Sequence, residues 1–303
     1  MKIPEFKEKF IERYSNLTDF EEFKKYSLKG QRKSVRVNTL KISVDEFKKE
    51  FKNLKLKQIP WCKEGFFIDS SIRGLGNLFG HSMGYFYVQE ASSMIPALVL
   101  NPKEEFVLDM AAAPGSKTTQ MAALMKNKGL IVANDNDYIR LRALNMNLQR
   151  SGITNSIISL MQGRFFSGFE FDKILLDAPC SGTGTFRKSP NAIREWSPNL
   201  VRRSCGIQRQ LIKVAFNNLR TGGTLVYSTC TLEPEENEGI VSFLLDEFSN
   251  AKLEKIDLDV KSSKPILDFD GKEYNKEVKK CLRIFPQNND TDGFFVTKIK
   301  KNL

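Results

Sequence analysis

The sequence predicts an α/β protein, a doubly wound and mostly parallel sheet preceded by a smaller α+β unit. Three observations predict it. From residue 85 onward, short apolar β-branched runs alternate with helical stretches, which implies parallel pairing through right-handed crossovers. Runs such as KILLD, Lys173 to Asp177, are apolar on successive residues and suit strands covered on both faces. Before residue 85 the pattern is helical aromatics followed by short strands around a Gly-rich turn.

In order along the chain, Phe6, Phe10, Tyr14, Phe20 and Phe23 recur at three or four residues, so residues 1 to about 30 read as helical. The alternating, β-branched stretch 34–43 (SVRVNTLKIS) reads as a strand and VDEFKKEFKNL, from Val44, as a short amphipathic helix. GFFID and GYFYVQ are further short strands around the turn at Arg73 to Gly84. SSMIPALVL is helical, EFVLDMA a strand and SKTTQMAALMKN a helix. Then come strand GLIVANDND, helix YIRLRALNMNLQRSG, and strands SIISLMQ and FDKILLDAPC. A long helix, VRRSCGIQRQLIKVAFNNLRTGG, ends in glycines before strand TLVYSTC and helix EENEGIVSFLLDEF. The closing stretch LRIFPQNNDTDGFFVTKIKK reads as two strands around a Pro/Asn/Asp/Gly connection.

With 303 residues, 41% hydrophobic and 27% charged, the chain has an ordinary core, and no apolar run approaches the roughly 20 residues that span a bilayer. The N-terminus is amphipathic and acid-containing, unlike a secretory or transit peptide, so a cytoplasmic protein is expected. The five cysteines have no CxxC spacing, and His81 is the single histidine, which argues against a zinc cluster. Free thiols are expected. A net charge of +11 points to a polyanionic partner.

Three acids fall at strand ends, where an open α/β sheet binds its ligands. Asp109 precedes the small residues Ala111 to Ser116, which let a ligand approach the backbone. The phosphate loop GxxxxGK[ST] and the dinucleotide GxGxxG are absent, so a nucleoside with an amino-acid tail suits the turn better. Asp135 ends the next strand, where acids accept from ribose hydroxyls, although it or Asp137 could cap the following helix. Asp177 ends a third, with Cys180 three residues on. Cys230 closes strand TLVYSTC, and by itself it reads more readily as a small buried hydrophobe than as a reactive thiol.

The ordered set RVNTLK, YVQEASSM, LDMAAAPGSKT, ANDND, LLDAPCSGTGT, YSTCTLEPEEN and FPQNNDTDGFF resembles the Nop/Sun family of S-adenosylmethionine-dependent RNA cytosine-5 methyltransferases. The resemblance runs from about residue 35 to the C-terminus. It implies a Rossmann-like methyltransferase domain over residues 85–303 and an N-terminal α+β domain, 1–84, that binds RNA. It places S-adenosylmethionine on the loop Ala111, Ala112, Ala113, Pro114, Gly115, Ser116 and Lys117, its ribose on Asp135 and its adenine on Gln162. Asp177 would lie near both the sulfonium and the target base, Cys230 would be the nucleophile, and Cys180 would assist product release. Two departures stand out: Ala111 and Ser116 replace a Cys and a Gly of the family loop, and Gln162 replaces an acid.

The implied chemistry needs these residue types. Carbon 5 of cytosine is a poor nucleophile until a thiolate adds to carbon 6 and makes the ring an enamine. The base must leave its stack to reach a pocket thiol. Arg187, Lys188, Arg194, Arg202 and Arg203 are candidates for holding RNA, and Tyr85, Phe86 and Tyr87 for stacking or core packing. Glu233, Glu235 and Glu236 are expected to charge and cap the next helix. The compact N-terminal unit is similar to archaeal-type tRNA enzymes, which implies tRNA as substrate with rRNA second, a monomer, and an archease-type chaperone as partner. A non-catalytic RNA-binding or assembly factor and a nicotinamide oxidoreductase are the alternatives from other classes.

Overall fold

The computed structural model describes residues 5–303; the first four residues of the expected helical segment lie outside them. Helices α1 (Glu8–Ser15) and α2 (Phe20–Leu28) form where the aromatic period predicts, and the Asp19 side chain accepts from Glu22 N to cap α2. Their aromatic face does not join the small sheet. Phe10, Tyr14 and Phe23 bury themselves against Phe186, Trp196, Leu232 and Phe285 of the C-terminal unit. This cluster straps the N-terminus across the loops that carry the site.

The small sheet comprises β1 (Ser34–Val37), β2 (Lys57–Ile59), β3 (Cys62–Phe67) and β4 (Phe86–Val88), antiparallel in the order β2-β3-β1-β4. Its last strand lies just past the boundary expected at residue 84. Helices α3 (Val44–Glu50) and α4 (Phe79–Ser82) accompany it. The strand expected over 34–43 stops at Val37. The Asn38 amide donates to Gly84 O and Ser151 O, and the chain turns there before the Ser43–Glu46 capping box opens α3.

The large sheet holds β5 (Phe106–Asp109), β6 (Leu130–Asp135), β7 (Ser156–Leu160), β8 (Phe171–Asp177), β9 (Leu219–Thr229) and β10 (Ala251–Glu254). A two-stranded hairpin, β11 (Asp268–Phe269) and β12 (Lys272–Glu273), precedes β13 (Leu282–Ile284) and β14 (Phe294–Lys301). The order is β10-β14-β9-β8-β5-β6-β7, with β13 beside β14. Strands β5 to β9 are parallel, β14 runs antiparallel to β9, and β10 runs antiparallel to β14, so the closing hairpin extends the sheet.

Helices cover both faces: α5 (Ile95–Leu100) and α6 (Ser116–Leu124) on one, α9 (Pro198–Asn217) and α10 (Glu238–Glu247) on the other. Helices α7 (Tyr138–Ser151), α8 (Asn191–Glu195) and α11 (Pro286–Asn289) complete the set. The two-sided burial explains the unbroken apolar run of β8. Ile174 and Leu176 pack toward α9 and α10, while Leu175 packs toward α5 and α6. A second boundary differs from the sequence reading. The segment LRTGG belongs to β9 rather than to the end of α9: Leu219 already pairs with Phe171, and Gly222, at φ +77, sits in the register irregularity before Thr224 pairs with Lys173. Among the described residues no helix is long and apolar enough to cross a membrane.

Candidate active site

From the central pair, the chain winds outward to β6 and β7 on one side and to β9 on the other, so strand order reverses between β5 and β8. The carboxyl ends of β5, β6, β8 and β9 open there into a cavity of about 480 Å³, within the range of small-molecule sites. Asp135, Asp177, Cys180, Cys230, Gln162, Ala111 and Ala113 all line it. The remaining loop residues, Ala112, Pro114, Gly115, Ser116 and Lys117, do not.

The two thiols meet because β8 and β9 are adjacent and in register, Asp177 opposite Ser228. Cys180 Sγ lies 3.3 Å from Cys230 Sγ, and neither is sealed in the interior. The Cys180 thiol is pushed well above its ordinary range by its hydrogen bond to Cys230, then by burial and by the charges of Cys230 and Glu236. It is therefore a neutral thiol at physiological pH. The remaining three cysteines are buried, which agrees with the expectation of free thiols.

Lys117 is where sequence reasoning saw least. On the first turn of α6, it directs its ammonium 2.7 Å from Asp177 Oδ2 and donates to Ser93 Oγ at 3.1 Å. Burial works against its charge, but Asp177, Asp109 and Cys230 outweigh that and raise its pKa. Ser228 Oγ donates to the other Asp177 oxygen at 2.7 Å. A buried cation is thus paired with the carboxylate that ends β8.

At the other end of the cavity, the loop after β5 is held by β6. Ala113 N donates to Asp135 Oδ2 at 3.2 Å, and Arg140 donates to Ala113 O and Asp135 Oδ1. The capping alternative resolves onto Asp137, whose side chain accepts from Ile139 N and Arg140 N. The left-handed residue is Gly115, at φ +102, so Ser116 starts α6 without strain. The Asn134 amide donates to Met110 O and Met161 O, which leaves its buried Oδ1 with no partner beside the cavity. Asp109 Oδ2 accepts from Thr118 Oγ1, and burial pushes this carboxyl up to about 7. Gln162 Oε1 accepts from Arg164 Nε at 2.9 Å at the rim.

These features fit S-adenosylmethionine. Small side chains at Ala111 and Ala113 leave the cavity open, and the orphaned Asn134 oxygen awaits a donor. Asp135 and Gln162 offer acceptors to ribose hydroxyls and an adenine amine.

Two expectations from sequence are corrected. Glu233 and Glu236 are fully buried hydrogen-bond hubs, not capping acids. Glu233 accepts from Arg13, Tyr14 and Trp196, and Glu236 from Ser181 and Gln208. Glu235, half-buried, pairs with Arg13. Arg187 is not on a basic face: it is buried and donates to the carbonyls of Lys29, Gly30 and Thr291 and to Asp290. Lys188, Arg194, Arg202 and Arg203 are exposed. Phe86 and Tyr87 are buried, as core packing requires.

The loop after Cys180 is threaded tightly. Gly184 N donates to Cys230 O, and Gly184 O accepts from Gly293 N. A Cβ at Gly184 would sit 2.4 Å from Gly293 O and 2.8 Å from Cys230 O, both backbone. Gly184→Ala is expected to cost about 1–3 kcal/mol in urea unfolding; an unchanged midpoint would show that the strand ends separate freely.

Fold and cavity together define an S-adenosylmethionine-dependent methyltransferase. The family model described as 16S rRNA methyltransferase RsmB/F matches residues 97–300, and the model for the N-terminal domain of 16S rRNA methyltransferase RsmF matches residues 6–91. The chain belongs to this RsmB/F group of the Nop/Sun family. It is 48% identical over 298 residues to a tRNA (cytosine(49)-C(5))-methyltransferase of Pyrococcus abyssi, covering 97% of this chain and 96% of that one. It is 48% identical over 283 residues to ribosomal RNA small subunit methyltransferase F of Aliivibrio salmonicida, covering 89% of this chain but 58% of that one. Among solved structures, a methyltransferase homolog from Pyrococcus horikoshii matches with TM-score 0.83 at 38% identity, over 92% of this chain and 90% of that one. NSun6 from the same organism, solved with the S-adenosylmethionine analogue SFG, matches with TM-score 0.86 at 29% identity, over 98% of each.

Proposed function

We propose that the protein transfers a methyl group to carbon 5 of a cytosine in RNA, through a covalent bond between Cys230 and the pyrimidine ring. The observation that carries this reading is the pair of thiols 3.3 Å apart over the cavity, with Lys117 and Asp177 beside them. Bound S-adenosylmethionine supplies an electrophilic methyl on a sulfonium.

Cys230 Sγ adds to carbon 6, forming the C–S bond and moving electron density to carbon 5. The Lys117 ammonium, 2.7 Å from Asp177 Oδ2, holds that carboxylate beside the ring it would meet. Asp177 accepts from the exocyclic amine or a protonated ring nitrogen 3, which favours cytosine over uracil. After carbon 5 is methylated, a general base takes its proton and the C–S bond breaks. Cys180, a neutral thiol in contact with Cys230, returns a proton to the departing sulfur. Cys180→Ala is therefore expected to accumulate protein–RNA adduct, visible as a retarded band on a denaturing gel. Absence of the band with RNA that the native protein methylates would remove Cys180 from the release step.

The substrate reading favours tRNA. The P. abyssi tRNA enzyme matches this chain nearly end to end, whereas the chain spans only about 58% of the length of the F-type rRNA enzyme. We assign RNA holding to the N-terminal unit, residues 1–84, and to the exposed Lys188, Arg194, Arg202 and Arg203, leaving 85–303 for catalysis. Labelled methyl transfer to tRNA transcripts against 16S rRNA, with bisulfite mapping, tests this. Labelling of 16S rRNA alone would favour the second reading.

A further inference from the structure

We propose that Glu236 is the positioning residue that holds Cys180 and Cys230 in register, by binding the residue that follows each of them. The inference rests on the covalent reading only for its purpose; the geometry stands without it.

Glu236 follows the β9 turn and is fully buried. One carboxylate oxygen, Oε2, accepts from Ser181 N at 3.0 Å and from Gln208 Nε2 at 2.8 Å. The other, Oε1, meets Ser181 Oγ and lies 3.3 Å from Thr231 Oγ1. Ser181 follows Cys180, and Thr231 follows Cys230. The two hydroxyls also touch each other at 2.8 Å, and Thr183 Oγ1 lies 2.9 Å from Thr231 Oγ1. Gln208, on α9, fixes the same loop from outside by donating to Pro179 O.

Among the described residues no other charged side chain joins the two turns at these positions. Sheet register brings Asp177 opposite Ser228, but pairing is over before either cysteine is reached. The three residues from Asp177 to Cys180 and the two from Ser228 to Cys230 leave the sheet by different paths. The backbone bond from Gly184 N to Cys230 O joins them further along the loop, and a buried side chain with four polar contacts ties them next to the cysteines. Glu236 neither lines the cavity nor contacts the sulfurs; apart from its charge, which adds to the upward push on the Cys180 thiol, it acts through geometry.

Burial raises this carboxyl to about 7, so both charge states occur near neutrality. The arrangement tolerates either. Ser and Thr hydroxyls rotate, donating to a carboxylate or accepting from a carboxylic acid. A glutamine is compatible for the same reason: its carbonyl oxygen can take the two N–H donors while its NH₂ donates to the two hydroxyls. Alanine removes all four contacts.

Thiol register can be read without RNA or methyl transfer. Diamide takes two electrons and two protons from a pair of adjacent thiols, becoming its hydrazine and leaving a disulfide, at a rate set by how well the sulfurs are held together. The experiment measures closure of Cys180 to Cys230 by peptide mapping in the native protein, Glu236→Ala, Glu236→Gln and Ser181→Ala, with S-adenosylhomocysteine affinity as the control for an intact cofactor end. The expected result is closure roughly tenfold slower in Glu236→Ala, close to native in Glu236→Gln, and intermediate in Ser181→Ala, with affinity unchanged. If Glu236→Ala does not fold, slower closure in Ser181→Ala alone sustains the proposal. Native-like closure in the folded alanine variants overturns it, as does equal slowing in Glu236→Gln. A catalytically silent Cys230 would sink the covalent reading and leave this result untouched.

Discussion

Cys230→Ala is expected to lower single-turnover methyl transfer by about 10⁴-fold or more, because it removes the group on which every later step depends. The loss should appear in the chemical step alone. Cys230 contributes a sulfur to one wall of a cavity whose cofactor end is built from Asn134, Asp135 and the Ala111–Ala113 turn. S-adenosylhomocysteine affinity should therefore stay within about twofold of native, a difference too small to reflect a lost hydrogen bond. Cys230→Ser is expected to be nearly as inactive, since a hydroxyl is a far weaker nucleophile than a thiolate. Rapid-quench kinetics with labelled S-adenosylmethionine checks both. Retention of a tenth of the native rate by either variant would mean that the ring is activated by some route other than this sulfur.

The second large effect is on stability. Arg283 of β13 and Glu238 of α10 are both fully buried. Arg283 Nε donates to Glu238 Oε1 at 2.8 Å, Nη2 donates to Oε2, and Nη1 donates to Leu232 O at 2.8 Å. Glu238 Oε1 also accepts from Ile266 N. Arg283→Met keeps the bulk but leaves a carboxylate without its cation and Leu232 O without its donor. The expected cost is about 3–5 kcal/mol, measured by urea unfolding. Adding Glu238→Leu removes the stranded charge, so the double variant should recover a large part of the loss. A single variant within 1 kcal/mol of native, as an order-of-magnitude bound, would show that water or a neighbour replaces the arginine. The same bond network reaches Leu232, two residues past Cys230, so the single variant should also slow catalysis.

Much of the fold was legible in the sequence because two-sided burial writes itself as unbroken apolar runs and helix faces as three-to-four spacing. The alternation of β5 to β9 with their helices follows from that, as does the placing of Asp135, Asp177, Cys180 and Cys230 at strand ends. What was not legible depended on long-range partners. β10 pairs only with β14 and is four residues long, so no local pattern announced it. LRTGG read as a helix stop because glycines commonly end helices, yet here Gly222 lies inside β9, at an irregularity in its pairing with β8. Glu233 and Glu236 read as first-turn acids because their buried donors, Arg13, Tyr14, Trp196, Ser181 and Gln208, are distant in sequence. Lys117 read as part of a loop that touches the cofactor. Only the three-dimensional register of α6 against β8 shows it paired with Asp177.

The account is tested most directly by the site of covalent attachment to RNA. In RNA carrying 5-fluorocytosine at the methylated position, the fluorine cannot leave as a cation, so an adduct formed by addition to carbon 6 persists after methyl transfer. Digestion and mass spectrometry of the complex should find a methylated fluoropyrimidine nucleotide on the peptide containing Cys230. Attachment at Cys180 instead, or no attachment while ordinary RNA is methylated at its full rate, would contradict the account.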